Sequence, residues 1–302
     1  MLKNLYTFNF NFMKKFLIKT FLYITSAIIG IQLISFLYIE TDFLNGALRY
    51  PGHKIYFAIK KSKSKSTKKI LLLGDSVAKS LFPTGEEAEI NSLATNQAIG
   101  VPGNYFLLKN YLDAGNTIET LVIIYNPYSL KNNLNQKYSY HYFLKPFFND
   151  EYVNYFSVNL LEQIEMIPNK NYLLIPSIRA TLWSPNFPQS KNLITDESGN
   201  SNNTKYSYLS PLSIEYLNKI KDLSIKNGFD IKLLPAPTST NKKINFISFQ
   251  KETEKTNLIE EFKFYLDNLN YVDPKYFSDG IHLNNQEIKN YYITKIRKLI
   301  LE

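Results

Sequence analysis

The sequence predicts an α/β protein with a central parallel sheet between helices, preceded by one N-terminal transmembrane helix. Three observations carry this. Short aliphatic runs stop at turn residues over 69–73, 121–125 and 230–234. Such runs read as strands buried on both faces, as a parallel sheet requires. Helix-spaced segments alternate with them over 214–227, 254–269 and 285–301, the order expected of a parallel α/β fold. Finally, residues 20–39 contain no charge.

That last run comes first in the chain. At about 1.5 Å per residue, a helix of this length reaches the ~30 Å of a bilayer core. Lys14, Lys15 and Lys19 precede it, and Glu40 and Asp42 follow. The basic flank favours a cytoplasmic N-terminus and an exported C-terminal bulk. No small-x-small pair closes the run, so an uncleaved anchor is expected. Met13-Lys-Lys has the form of a natural start, which makes residues 1–12 an upstream extension. The expected layout is a cytoplasmic tail (1–19), an anchor in the cytoplasmic membrane (20–39), a stalk (40–68) whose aromatic and apolar residues over 50–59 could pack on the domain, and a periplasmic or extracellular domain (69–302).

Within that domain, β-type runs end in Gly74 and in Pro235-Ala-Pro237, both stop signals. Gly228 follows the helical segment 214–227 as a good C-terminal cap. Asn284, with Glu287 three residues on, has capping-box spacing for the last helix. A further helix is expected near 151–166. The stretch 127–210 is rich in Asn, Tyr, Pro and Ser and includes Trp183 and a polar patch at 196–204. It reads as an insertion, either a lid or groove wall over the substrate or a structural elaboration.

The formal net charge of +9 is concentrated near the N-terminus and in Lys60-Lys-Ser-Lys-Ser-Lys-Ser-Thr-Lys-Lys69. That pattern suits a solvated tether, so no nucleic-acid partner is expected. The chain has no cysteine, which excludes disulfides and thiolate metal sites. No cluster of ligands suggests a metal or cofactor.

The segment Lys69-Ile-Leu-Leu-Leu-Gly-Asp-Ser76 places a serine just past a strand, at the edge where open α/β sheets hold ligands. Such a serine caps a helix, or acts as a nucleophile where a histidine reaches it. Of three histidines, His53 falls in the stalk and His141 in the insertion. His282 lies in Asp279-Gly-Ile-His282, where one turn can bring carboxylate and imidazole together. Asp279 can then hold the Nδ1 proton, leaving Nε2 to take the serine proton. Oxyanion donors are also needed. Candidates are the Ser76 N–H, the glycines of Asn96-Gln-Ala-Ile-Gly-Val-Pro-Gly103, and the side chain of Asn126 at the end of its strand.

Together these blocks resemble the SGNH, or GDSL, hydrolase superfamily. Gly74-Asp75-Ser76 matches the nucleophile block, and Asp279-x-x-His282 the C-terminal block. Asn96 to Gly103 falls at the glycine block, with Gly103 as donor and Gly100 as alternate, and Asn126 at the asparagine block. The family commonly has Gly-x-Asn-Asp where this chain reads Ile124-Tyr-Asn-Pro127. The resemblance implies a flavodoxin-like three-layer α/β/α sandwich over 69–302 and serine-based acyl chemistry without a cofactor. Three functions follow as expectations: an esterase acting on an acylated glycan or other envelope ester, an O-acyltransferase with a membrane-bound acyltransferase partner, or a non-catalytic envelope-binding module.

Overall fold

Four parallel strands order the molecule. They are β1 (Ile70–Gly74), β2 (Ile90–Ser92), β3 (Thr120–Tyr125) and β4 (Asp230–Pro235), arranged β2-β1-β3-β4. The computed structural model describes residues 10–40, 53–83, 89–136, 138–168, 186–192 and 208–301. Register aligns Gly74 with Ile124 and Tyr125 with Pro235, so three strands end at one edge.

Side chains alternate across the sheet because the strand period is two. Leu71, Leu73, Leu121, Ile123 and Leu233 enter one core, and Leu72, Val122, Ile124 and Leu234 the other. The first core is covered by α2 (His53–Ser62), α4 (Gly100–Asp113), α5 (Pro211–Asn227) and α7 (Ile259–Asp267). The second is covered by α3 (Ser76–Leu81) and α8 (Gln286–Leu301). Burial on both faces explains why the strands read as unbroken aliphatic runs.

The three long strands therefore lie where the sequence places them, within a residue at each end. β2 escapes that reading: Ile90-Asn91-Ser92 is short and two-thirds polar, and only its pairing with β1 makes it a strand. Two corrections concern helices. The helix expected over 254–269 is only α7: residues 254–258 form a turn through Thr256 and Leu258, and a separate helix that was not expected, α6 (Phe246–Thr253), precedes it. The α8 cap is Asn285, whose Oδ1 accepts from Ile288 N at 2.9 Å, one residue later than expected.

The stalk also needs correction. From His53 onward it is helix, with Ile55, Ala58 and Ile59 in the core. Asn110 Nδ2 donates to Ser62 Oγ, and Asn116 holds the backbone of Ser64 and Ser66. The apolar residues expected to pack on the domain do so at Ile55, Ala58 and Ile59, and the lysines on the polar face of the same helix are what reads as a tether. Residues 41–52 of the expected stalk lie outside the described residues.

Over 127–166 the expected insertion is packed, not loose. Phe143, Leu144, Phe147, Tyr152 and Leu160 are fully or almost fully buried, and the rings of Phe143, Phe147, Tyr152 and Phe156 surround Phe106 of α4. The helix expected at 151–166 is a 3-10 turn (Val153–Tyr155), a short helix (Val158–Glu162) and a strand (Ile164–Pro168) paired with Asn186–Ser190. Trp183 and the 196–204 patch lie outside the described residues.

The N-terminal run lies in α1 (Phe10–Glu40), one helix of 31 residues in a unit separate from the sheet-bearing body. Side chains 34–40 lie outside the described ones. Among the described residues no helix is long and apolar enough to cross a membrane.

Candidate active site

Two close approaches build the turn between β1 and α3. A Cβ on Gly74 would meet Ala78 Cβ at 2.6 Å and overlap the Ile124 carbonyl, so only glycine lets β1 turn into α3 against β3. Asp75 then caps α3: its Oδ1 accepts from Val77 N at 2.9 Å and Ala78 N at 3.2 Å. Its Oδ2 accepts from Asn126 N at 3.0 Å and Ser129 Oγ at 2.5 Å. This buried carboxylate ties the end of β1 to the end of β3. Burial pushes its pKa up, against the pull of the four hydrogen bonds.

Ser76 is the first residue of α3. The Asp75 cap engages the second and third N–H groups of the helix, and the Ser76 N–H has no acceptor among the described residues. Orphan donors of this kind attract negative charge at a helix start.

Asp279 and His282 sit on a tight loop before α8. Phe277 and Leu283 bridge its base in antiparallel fashion, and both are buried in the second core. Gly280 turns the loop at φ +74°. Asp279 Oδ1 accepts from Ile281 N at 2.9 Å and His282 N at 2.7 Å, and its Oδ2 lies 2.6 Å from His282 Nδ1. The other ring nitrogen, Nε2, lies 2.9 Å from Ser76 Oγ. Serine, histidine and aspartate thus form one hydrogen-bonded line, across 206 residues of chain between Ser76 and His282. Partial burial raises the Asp279 pKa, but the bonds from the His282 backbone and ring and the Ile281 N–H outweigh it and leave the carboxyl below its ordinary value.

The remaining expected residues divide. Asn126 ends β3 beside this line. Its Oδ1 accepts from Tyr128 N at 3.0 Å, which fixes the amide and leaves Nδ2 without an acceptor among the described residues. The glycine block opens α4. Gly100 gives its N–H to Gln97 O, and its carbonyl accepts from Asn104 Nδ2. Gly103 is the fourth residue of α4, the first position whose N–H finds an intrahelical acceptor. A Cβ there would overlap Ile99 and meet Phe143 at 3.2 Å. Close packing therefore requires glycine at 103, and the corner at Gly100, with φ +63°, favours it there. Of the other histidines, His53 begins α2, and His141 lies in a π turn against Tyr140.

Sequence reasoning gave Asp75 and Ser129 no role. Asp75 carried a signal: an acid between a buried strand and a helix start must be capped or paired. Ser129 carried none, because its contact spans 54 residues.

In comparisons with known proteins, no family model matches the chain, and no curated protein or solved structure matches it either.

Proposed function

We propose that this protein is a serine-dependent ester hydrolase acting on an acylated glycan or other envelope ester, with Ser76 as nucleophile, His282 as base and Asp279 as orienting acid. The observation that carries this reading is the unbroken Asp279–His282–Ser76 line, at 2.6 and 2.9 Å. A serine that only capped its helix would not need an imidazole whose far nitrogen is held by a carboxylate.

In this mechanism Ser76 Oγ attacks the ester carbonyl carbon as its proton passes to His282 Nε2. Asp279 stabilises the resulting imidazolium and holds its Nδ1–H. The carbonyl oxygen becomes an oxyanion received by the Ser76 N–H, with Asn126 Nδ2 as the second donor. Collapse breaks the ester C–O bond, and His282 returns the proton to the departing alcohol oxygen. Water, deprotonated by His282, then attacks the acyl-enzyme; the acid leaves and Ser76 Oγ regains its proton. The same acyl-enzyme can pass to a sugar hydroxyl, and partition of label between water and an added polysaccharide tells the two routes apart.

The four-strand order agrees with a flavodoxin-like, SGNH-type sandwich. In it the chain leaves β1 toward β2 and returns on the far side to β3, and the crevice at such a reversal is the usual ligand site. Ser76 and Asn126 flank that crevice. The charge-free run in α1 supports attachment to a membrane, which would bring the domain to envelope substrates.

The test is labelling by a fluorophosphonate probe together with hydrolysis of a chromogenic acetate ester. Wild type should label at Ser76, and Ser76→Ala and His282→Ala should each lose about 10³-fold or more in kcat/KM. Hydrolysis retained by Ser76→Ala ends this reading.

A further inference from the structure

Two lysines stand beside the triad loop with no acidic partner among the described residues. Lys131 closes the 3-10 turn (Pro127–Lys131) that follows Asn126, and it is buried, with 7% of its surface exposed. Its Nζ lies 5.1 Å from the Tyr128 ring centroid. The Tyr128 hydroxyl donates to the carbonyl of Lys242 at 3.3 Å. Lys242 in turn reaches the triad loop: its Nζ would lie 3.4 Å from a Cβ on Gly280, the residue after Asp279. Burial lowers the Lys131 pKa, and the Lys242 charge lowers it further, so the two ammonium groups sense each other. Neither lysine forms a salt bridge among the described residues, and the carboxylate nearest in the chain to Gly280, Asp279, is turned to His282.

The arrangement is costly unless something negative joins it. A half-desolvated ammonium is normally paired, and a ring face offsets only about 0.5–2 kcal/mol of the loss. A second ammonium nearby adds repulsion. The described residues supply no counter-charge, so an anion brought by a ligand would relieve this cost.

We propose that Lys131 and Lys242 form an anion-binding subsite beside Ser76, and that the ester cleaved here carries a carboxylate or phosphate near its scissile bond. The subsite rests on the hydrolase reading for its substrate, but not for its ability to bind an anion. Lys131 lies on the segment that positions Asn126, and Lys242 lies against the loop that positions His282. An anion held by both would sit at the crevice mouth and set the register of the ester relative to Ser76 Oγ.

The experiment has two arms on the full-length protein in detergent. In the first, inorganic phosphate is titrated calorimetrically into Ser76→Ala protein, where turnover plays no part. Saturable binding is expected, weakened fivefold or more by adding Lys131→Met or Lys242→Met and kept by Lys131→Arg. In the second, kcat/KM is compared for 4-nitrophenyl acetate, 4-nitrophenyl hydrogen succinate (anion on the acyl side) and 3-acetoxy-4-nitrobenzoate (anion on the leaving group). One anionic ester should be preferred tenfold or more, which also says which side of the ester faces the lysines, and the preference should collapse in either Met variant. Equal phosphate binding by wild type and the double Met variant, with thermal unfolding showing both folded, overturns the subsite. An unchanged anionic-to-neutral ratio in the Met variants does the same. Failure of every ester in wild type counts against the hydrolase reading alone, and phosphate binding still decides the subsite.

Discussion

Asp75 and Asp279 show how two carboxylates in one site come to do different work. Asp279 is half exposed and aimed at an imidazole, so Asp279→Asn keeps the shape but presents an amide where an acceptor is needed. It should lower kcat for ester hydrolysis by about 10²–10⁴ while leaving KM nearly unchanged. Its depressed pKa sets a pH signature. A carboxyl with a lowered folded-state value stabilises fully above its ordinary value near 4 and loses that effect as pH falls through the lower one. The unfolding free energies of wild type and Asp279→Asn should therefore differ by less than about 1 kcal/mol for so exposed a group at pH 5, and this difference should shrink as pH falls below 4. Urea titrations at each pH read this directly. Asp75 is buried and receives four donors. Asp75→Asn turns an NH₂ group toward at least one of them, and the expected loss is about 2–4 kcal/mol of stability, seen as a lower urea midpoint. The Asp279–His282–Ser76 line could be read from sequence because its residue types are chemically special, and Asp75 carried a signal in its place between strand and helix; its bond to Ser129 could not be read, because Ser129 looks like any other serine.

At the scale of elements, legibility followed burial pattern. β1, β3 and β4 announced themselves because both faces of each are covered, whereas β2 exists only through its partner. The aromatic packing around Phe106 gave no periodic signal, since its members come from a helix, a π turn and irregular loops whose composition looked merely polar. That packing makes 127–166 part of the first core rather than a detachable lid. Truncating its centre, Phe106→Ala, should cost about 3–5 kcal/mol. Gly74 offers the matching test at the site. Gly74→Ala forces β1 away from the Ile124 carbonyl and α3 away from β1. It should lower activity more than stability, because Ser76 Oγ moves with α3 while the His282 loop stays anchored through Phe277 and Leu283. A loss of hydrolysis well beyond the shift in unfolding midpoint would bear this out; equal losses would mean that the turn merely fails to fold.

For the whole molecule, the decisive question is where the sheet-bearing body begins. Composition pointed to Lys69, because the lysine and serine run before it looks like a tether. The structure places the start at α2, whose inner face, Ile55, Ala58 and Ile59, fills the first core beside α4. Burying the two isoleucines contributes about 3–6 kcal/mol, and the Asn110, Asn116 and Lys61 hydrogen bonds add to it. That sum is comparable with the ~5–15 kcal/mol that holds a domain folded. A chain shortened to begin at Lys69 should therefore unfold at a markedly lower urea concentration, or aggregate, and lose ester hydrolysis. One beginning at Pro51 should unfold cooperatively and keep turnover close to that of the full chain, since the triad, Asn126 and both subsite lysines lie within it. Equal stability of the two shortened chains would return α2 to the stalk and detach the first core from the segment that follows the hydrophobic helix.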